Sequence, residues 1–520
     1  MKTGFRQSMA WLHTWSGLLV GWVLFAVFLT GTVSYFRPEI SLWMRPELHD
    51  AAPNPRAAEV ILAELQRRAP NAPSWSIQLP TAHNPVATAF WRDRTASGRG
   101  FRLIQMDPRT GGELSSRGTA GGDFFYAFHF QLYSIPPLWG RWIISFCAMF
   151  MLVAIVSGIV THRRIFADFF TFRPRKGQRS WLDGHAILAV LALPYHLMIT
   201  YTGLVTLMII TMPWAIMTNF NGQQQAFNAA VFGIEQPGPR SGQAAPLTPI
   251  MPLLEEASRH WQGGQVGRIV VSNPGDARAT IQLGQRDNER LSVSRRTVTF
   301  DGTTGAFQSA REPDAPADET RGVMYGLHIG RFGDGIVRAL LFISGLTGTA
   351  MVATGTILWA VKQRQKMGTA ASPGARLVEI LNVGTIAGLP IAVAAFFLAN
   401  RLLPVDLPLR AEWEVRCFFI AWGVAALHPL LRRHRRAWQE QLWTGTALFI
   451  AVPVVNAATT HSHLGATLPA GNWVLAGVDL MLIAFGVLLG ATAWIVGRAR
   501  PATARNRAAE DRRAMPVLAE

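Results

Sequence analysis

Six of the chain's 13 histidines stand at or near the ends of strongly apolar segments: His13, His129, His162, His185, His196 and His328. Imidazole is costly in hydrocarbon, so a histidine placed there carries a functional expectation. Its neutral ring is a strong ligand, and two such rings can fill both axial positions of a haem iron. Haem iron or another metal is therefore the chemistry these residues suggest, and all six are candidate ligands. A lone histidine near a membrane interface is more often a packing or anchoring residue. The number of these histidines, and their register with a repeat, is what argues for ligation. C-x-x-C-H is missing, which excludes covalent c-type attachment and leaves non-covalent haem b, about two per chain. Neither H-E-x-x-H, nor a P-loop, nor a Ser/His/Asp order occurs in a suitable context, and no catalytic side chain is assigned.

The elements that must position these rings are membrane helices. The chain has 520 residues, 49% of them hydrophobic, and a mean hydropathy of +0.19. Apolar runs of about 20 residues read as spans. Eight are expected, at about 9–35, 138–161, 185–211, 336–361, 378–402, 412–431, 441–458 and 473–497. The net charge of +17 could point to nucleic acid. Its placement argues for a lipid bilayer instead. Arg163, Arg164, Arg173, Arg175, Lys176 and Arg179 follow the second span, and Lys362, Arg364 and Lys366 follow the fourth. Arg432, Arg433, Arg435 and Arg436 follow the sixth, and Arg498, Arg500, Arg505 and Arg507 the eighth. This positive-inside pattern predicts a multi-pass protein of a bacterial inner membrane, with both termini cytoplasmic and no nucleic-acid partner. The first span is too long for a signal peptide and lacks a clear cleavage site. The only cysteines, Cys147 and Cys417, fall inside spans, so no disulfide is expected outside the membrane.

Two polar segments interrupt the spans, and the first part of the chain repeats itself. Trp11-Leu12-His13 leads to Thr30-Gly31, as Trp181-Leu182-Asp183-Gly184-His185 leads to Thr202-Gly203. Asp107–Gly111 matches Asp301–Gly305, each reading as a tight turn between strands. Phe128-His129 matches Leu327-His328. Ala87–Trp91 and Thr297–Phe300 look like strands, and 56–68 has helical spacing. The expected plan is a first span (1–36), an α+β segment (37–135), two spans with a cytoplasmic loop (136–211), a second α+β segment (212–330), and a fourth span (331–366). A four-helix region (375–500) and a cytoplasmic tail (501–520) follow. The fold class is thus a mainly α membrane protein: a duplicated four-helix core with two periplasmic α+β domains, plus four additional helices.

The histidines sort into two depths. His13, His162 and His185 fall near the cytoplasmic face; His129 and His328 fall near the external ends. The repeat favours His13 with His185 for an inner haem, with His162 as competitor. Two of His129, His196 and His328 would hold the outer one. His196 follows His185 by 11 residues, roughly 1,100° of turn and about 16 Å of rise, which puts both on one helix face unless Pro194 kinks it. His49, His83 and His260 read as surface residues. His461 and His463 are too few for a metal site, and His428 and His434 read as headgroup contacts. Most of the 18 tryptophans fit an interfacial belt, although Trp11, Trp15 and Trp22 could pack on a porphyrin. Gly17, Gly21 and Gly31 could serve helix packing or make room for a flat ring.

Several of these motifs together resemble the PepSY-associated transmembrane helix family. They are Leu12-His13-Thr-Trp15-Ser-Gly17, the turns at Asp107–Gly111 and Asp301–Gly305, and Ser157-Gly158-Ile-Val-Thr-His162. The others are Pro194-Tyr-His196 through Thr202-Gly203, and Leu327-His328-Ile-Gly330. The resemblance covers about 1–366. It implies PepSY-like domains in the two α+β segments. Through the family's di-haem branch, it implies a ferric-siderophore reductase of the inner membrane active in iron acquisition. Some relatives carry a fused flavoprotein reductase; the chain has no dinucleotide fingerprint after a strand, so a separate donor, a cytoplasmic reductase or quinol, is expected. The partner would be a ferric siderophore or other ferric chelate. Two alternatives are a haem-free PepSY regulator or inhibitor of a periplasmic peptidase, and a di-haem cytochrome serving another redox partner.

Overall fold

A computed structural model describes residues 4–93, 100–162, 169–174, 176–232, 238–313, 315–367 and 372–498. Arg163, Arg164, Arg175, Arg500, Arg505, Arg507 and the tail 501–520, all named above, lie outside the described residues. Among the described residues eight helices are long and apolar enough to cross a membrane, and the protein is multi-pass. The chain divides into two compact units, Met1–Gly368 with Pro404–Ala411, and Thr369–Leu403 with Glu412–Glu520.

The first unit opens with α1 (Phe5–Ser34), α2 (Arg37–Trp43) and α3 (Ala57–Arg68). Strands β1 (Ser74–Gln78), β2 (Ala87–Arg92) and β3 (Phe101–Met106) precede α4 (Gly121–Gln131) and α5 (Pro137–Thr161). Next come α6 (Gln178–Leu191), α7 (Leu193–Thr211) and the short α8 (Trp214–Asn219) and α9 (Gln224–Phe232). The second polar segment holds α10 (Ile250–His260), β4 (Val266–Ser272), β5 (Thr280–Gln285), β6 (Thr297–Asp301), β7 (Phe307–Arg311) and α11 (Pro316–Ile329). The unit's last span is α12 (Gly335–Met367).

The expected third span is two helices. Pro194 has no N–H and its ring obstructs the preceding turn, so α6 stops at Leu191 and α7 restarts at Leu193. Around this break the bundle closes with the symmetry the repeat predicts. α1 packs on α4, α5 and α12, and α7 packs on α11, α5 and α12. Small residues allow the close approaches: a β-carbon at Gly21 would meet Thr356 Cγ2 at 2.6 Å, and one at Gly345 would meet Thr32 Oγ1 at 2.3 Å. Several hydroxyls inside the helices bond to the preceding turn, as Thr30 Oγ1 donates to Ala26 O at 2.7 Å.

The two polar segments meet in one antiparallel sheet of seven strands, ordered β3-β2-β1-β4-β5-β6-β7. The join is β1 with β4, where Ile77 pairs with Ile269. Alternation separates the faces. Trp75, Ile77, Ala89, Ile104, Ile269, Ile281, Val298 and Phe300 pack with α3 and α10 in one buried core. The other face, mostly polar, carries Ser76, Gln78, Thr88, Gln105, Arg268, Gln282 and Thr299, together with Phe90, Leu103 and Val270. Both Asp-Gly turns are present: Gly111 (φ 71°) donates its N–H to Asp107 O, and Gly305 (φ 76°) to Asp301 O.

The second unit contains α13 (Pro373–Asn382), a π-helical turn at Val383–Ala387, and α14 (Gly388–Leu402). α15 (Arg410–Leu431), which begins at the unit boundary, α16 (His434–Thr459), α17 (Leu464–Thr467) and α18 (Trp473–Arg498) complete it. Its helices enclose a buried polar chain. Asn400 Nδ2 donates to Glu414 Oε1 at 2.7 Å, Arg401 Nε to Asn456 Oδ1 at 2.8 Å, and Asn456 Nδ2 to Asp479 Oδ2 at 3.0 Å. In hydrocarbon such groups persist only when they satisfy one another.

Candidate paired-histidine site

Four of the six histidines come together in two pairs. His13 on α1 and His185 on α6 have ring centroids 6.2 Å apart, at 62°. His129 on α4 and His328 on α11 have centroids 5.9 Å apart, at 30°. A metal–imidazole bond is about 2 Å, and a ring nitrogen lies roughly 1 Å from its centroid. Two rings on opposite sides of one metal are then roughly 6 Å apart, so both pairs fit a shared metal.

The Nδ1 nitrogens of the four rings are fixed alike. His13 Nδ1 donates to Ala154 O at 2.8 Å, and His185 Nδ1 to Met351 O at 3.0 Å. His129 Nδ1 donates to Val27 O at 2.8 Å. His328 Nδ1 lies 3.0 Å from Thr202 Oγ1, whose own proton goes to Met198 O at 2.7 Å, so the imidazole is again the donor. A carbonyl only accepts, so each ring carries its proton on Nδ1 and leaves the Nε2 lone pair available. Ligating histidines need that outer hydrogen bond to hold tautomer and angle.

Glycines make the room. A β-carbon at Gly158 would stand 3.1 Å from His13 Cε1, and one at Gly355 would stand 3.2 Å from His185 Cε1. One at Gly203 would stand 3.0 Å from His328 Cε1, and one at Gly31 would stand 2.5 Å from His129 Nδ1. Ala154 and Met351 each stand four residues before their glycine, so acceptor and notch repeat together. The backbone places each ring: Gly330, in the left-handed region at φ 67°, ends α11 just beyond His328, and Leu132 (φ 59°) ends α4 just beyond His129. The pairs occupy different depths. His13 is on α1, and His129 bonds to Val27 fourteen residues further on, about 21 Å along that helix.

The other two candidates break the repeat. His162 is the C-cap of α5. His196 is fully buried in α7 beside Tyr195, with neither ring nitrogen in a hydrogen bond of normal geometry. A β-carbon at Gly348 would lie 3.3 Å from its Nε2. No group of three or more His, Cys, Asp or Glu fit to hold a metal occurs among the described residues. His463 is an N-cap, its Nδ1 accepting from Gly465 N at 3.1 Å. Trp11 and Trp15 are exposed, as belt residues would be, and Gly17 has open space around it.

A cavity of about 1490 Å³ lies between the polar face of the sheet and the bundle, and reaches His129 and His328. Its wall includes a buried Glu39–Arg338 pair, with His83, whose side chain is 42% exposed as its surface reading implies, at the edge. Arg338 Nη1 lies 2.7 Å from Glu39 Oε1, with both side chains almost fully buried, and His83 Nδ1 lies 3.1 Å from the same oxygen. Burial pushes the Glu39 carboxyl up, but His83 and Arg338 outweigh it and hold the group below its ordinary value. The spacing of Glu39, His83 and Arg338 along the chain carries no local pattern that could have revealed this.

Fold and site define a multi-pass membrane protein with a duplicated core, two histidine pairs and a sheet-capped cavity. The chain belongs to the PepSY-associated TM region family, which it matches over residues 10–362. It is 25% identical over 395 residues to an uncharacterized protein of Pseudomonas aeruginosa, an alignment covering 72% of this chain and 95% of that one. It is also similar over shorter stretches to the cytochrome c biogenesis protein CcsA of two Synechococcus strains. Identity there is 29% over 169 residues (29% of this chain, 46% of the relative) and 32% over 130 residues (24% and 36%). The chain spans less than half the length of either cyanobacterial relative.

Proposed function

We propose that this protein is a haem-dependent ferric reductase. In this reading it carries electrons across the inner membrane and reduces a ferric siderophore, or another ferric chelate, on the sheet side, which faces the periplasm. The observation that carries it is the double pair: two sets of facing imidazoles at two depths, each ring with Nδ1 donated and Nε2 left for a metal. His13 and His185 would hold one b-type haem and His129 and His328 the other. A bis-histidine haem supplies one-electron transfer with no open coordination position. Gly158, Gly355, Gly31 and Gly203 leave room for the rings, and the carbonyl acceptors hold their angle. Lys362, Arg364 and Lys366 close α12 at the end remote from the sheet, which supports a periplasmic sheet and cytoplasmic termini. Electrons would come from a separate cytoplasmic reductase or quinol. Ferrous iron is held far less strongly than ferric iron by oxygen-donor chelators, so reduction releases the metal with the ligand intact. The test is a pyridine-haemochrome assay on protein from haem-replete cells, followed by mixing the prereduced protein with ferric chelates. About two haems per chain and oxidation of the protein by a chelate are expected; purified protein with no Soret band would overturn the reading.

A further inference from the structure

The cavity above His129 and His328 is strongly and unevenly charged. Ten arginines line it against two aspartates, and both aspartates are engaged, Asp123 with Arg37 and Asp287 with Arg331 at 3.2 Å. Five of the ten are paired with carboxylates, namely Arg37, Arg290, Arg296, Arg331 and Arg338; of the others, Arg268, Arg286 and Arg295 gather on β4, at the end of β5 and in the loop after it, with no ion pair of their own among the described residues. Arg268, on the polar face of β4, reaches only Ser76 Oγ, at 3.1 Å. Arg286, at the end of β5, makes one long contact to Pro80 O at 3.4 Å, and its Nε is buried without a partner. Arg295 lies in the loop that follows. Arg268 and Arg295 are near enough to repel one another: burial first, then Arg295, depresses the Arg268 guanidinium, with Asp287 opposing. Like charges gathered on a concave wall, with low-dielectric protein behind them, focus an anion-attracting potential. The volume exceeds what a drug-sized ligand fills.

The loop bearing Arg295 is not loosely attached. It packs on α11, the helix of His328. Ser292 Oγ donates to Glu319 Oε2 at 2.9 Å, and a β-carbon at Gly326 would run into Leu291 O at 1.7 Å. The loop of Arg295 is therefore held against the same element that carries one histidine of the upper pair.

We propose that this cavity selects a bulky ferric chelate of net negative charge, whose anionic oxygens are received by Arg268, Arg286 and Arg295 above the His129–His328 pair. That the ligand carries iron rests on the reductase reading; that it is anionic rests on the arginines.

Gallium(III) has the charge and size of iron(III) and is not reduced under these conditions, so binding can be read without electron transfer. The full chain in phosphatidylcholine nanodiscs is titrated with a triply negative gallium tris-catecholate and with a gallium trihydroxamate made singly positive by a pendant ammonium. The anionic complex should bind at least about tenfold more tightly. The double variant Arg268→Gln/Arg295→Gln should weaken it by about tenfold or more and leave the cationic complex unchanged. Arg268→Lys/Arg295→Lys should restore much of the loss, which separates lost charge from lost fold. No binding of the anionic complex, equal or tighter binding of the cationic one, or full affinity in the glutamine variant would each overturn the proposal. A repeat in phosphatidylglycerol nanodiscs covers the other source of anionic oxygen. If that lipid abolishes anionic binding while the glutamine variant changes nothing in phosphatidylcholine, the arginines serve headgroups and the proposal fails. The matching ferric complexes, mixed with prereduced protein, separate the two claims. Arginine-dependent gallium binding without reduction of the ferric form leaves the cavity assignment standing and removes the reductase. Equal reduction of both charge types does the reverse.

Discussion

Gly31 and His129 touch across two helices, and the close approach admits no side chain at residue 31: a β-carbon there would stand 2.5 Å from His129 Nδ1. The same ring donates to Val27 O, four residues earlier on α1. Gly31→Ala must therefore push the imidazole off its acceptor. Overpacking of this kind costs about 1–3 kcal/mol. The expected outcome is loss or spectral perturbation of one haem only, read by haemochrome content and the low-temperature electron paramagnetic resonance spectrum. Gly203→Ala, whose β-carbon would stand 3.0 Å from His328 Cε1, should act in the same direction and less strongly. An unchanged spectrum in Gly31→Ala would show that His129 is not a ligand.

Replacing one ring of a pair should remove one haem and spare the other. His13→Ala and His185→Ala should give one spectral phenotype, and His129→Ala and His328→Ala a second. Outer hydrogen bonds to ligands are worth about 10- to 100-fold in metal affinity, so removing a ligand should exceed that. His162→Ala should keep both haems, since its position in the repeat has no histidine counterpart: Trp359 stands in the equivalent place, four residues after Gly355 as His162 is four after Gly158. Full haem content in all four paired variants would redirect the assignment to His162 and His196.

Much of this arrangement is legible in the residues. The match of His13 with His185 and of His129 with His328 follows from the repeat, and each matched pair meets in space. Spans, both Asp-Gly turns and the strands at Ala87 and Thr297 follow from local pattern. What is not legible depends on long-range packing. Pro194 signals a kink, and the helix does stop between Leu191 and Leu193; His185 and His196 nevertheless both lie against α12, at Gly355 and Gly348, about two turns apart. The union of two polar segments in one sheet depends on β1 pairing with β4, strands far apart in sequence with no turn signal between them. The Glu39–Arg338 pair joins residues 299 apart in the chain. Gly158 and Gly355 are ordinary small residues of apolar helices until the imidazoles that lie against them are known.

The Glu39–Arg338 pair predicts a pH dependence. The folded-state value of Glu39 lies below its ordinary one, so the folded protein binds this proton less readily than the unfolded chain. The stabilisation is complete above the unfolded value, about 4.3, and is lost as pH falls through the lower folded value. Breaking a buried pair by removing one partner costs about 3–5 kcal/mol. Arg338→Met should therefore lower the thermal midpoint at neutral pH. The deficit relative to wild type should shrink below about pH 4, where protonation of Glu39 relieves the unpaired charge. A deficit independent of pH would show that Arg338 acts through its packing alone.

The division of the chain into two units predicts where function resides. Both histidine pairs, the sheet and the cavity belong to Met1–Gly368, and the family match ends within it. A truncation after about residue 370 also removes Pro404–Ala411, the short return segment of the same unit. In that segment Arg410 Nη1 donates to Gly118 O at 3.0 Å. Losing that hydrogen bond to a charged group costs about 1.5–3 kcal/mol. The truncated protein should keep about two haems and reduce a ferric chelate when supplied with dithionite, measured per folded molecule so that poor yield does not count against it. A folded truncation that keeps both haems and reduces no ferric complex would move the substrate site out of the cavity and into the second unit. There the Asn400, Arg401, Glu414, Asn456 and Asp479 chain would be the first place to look.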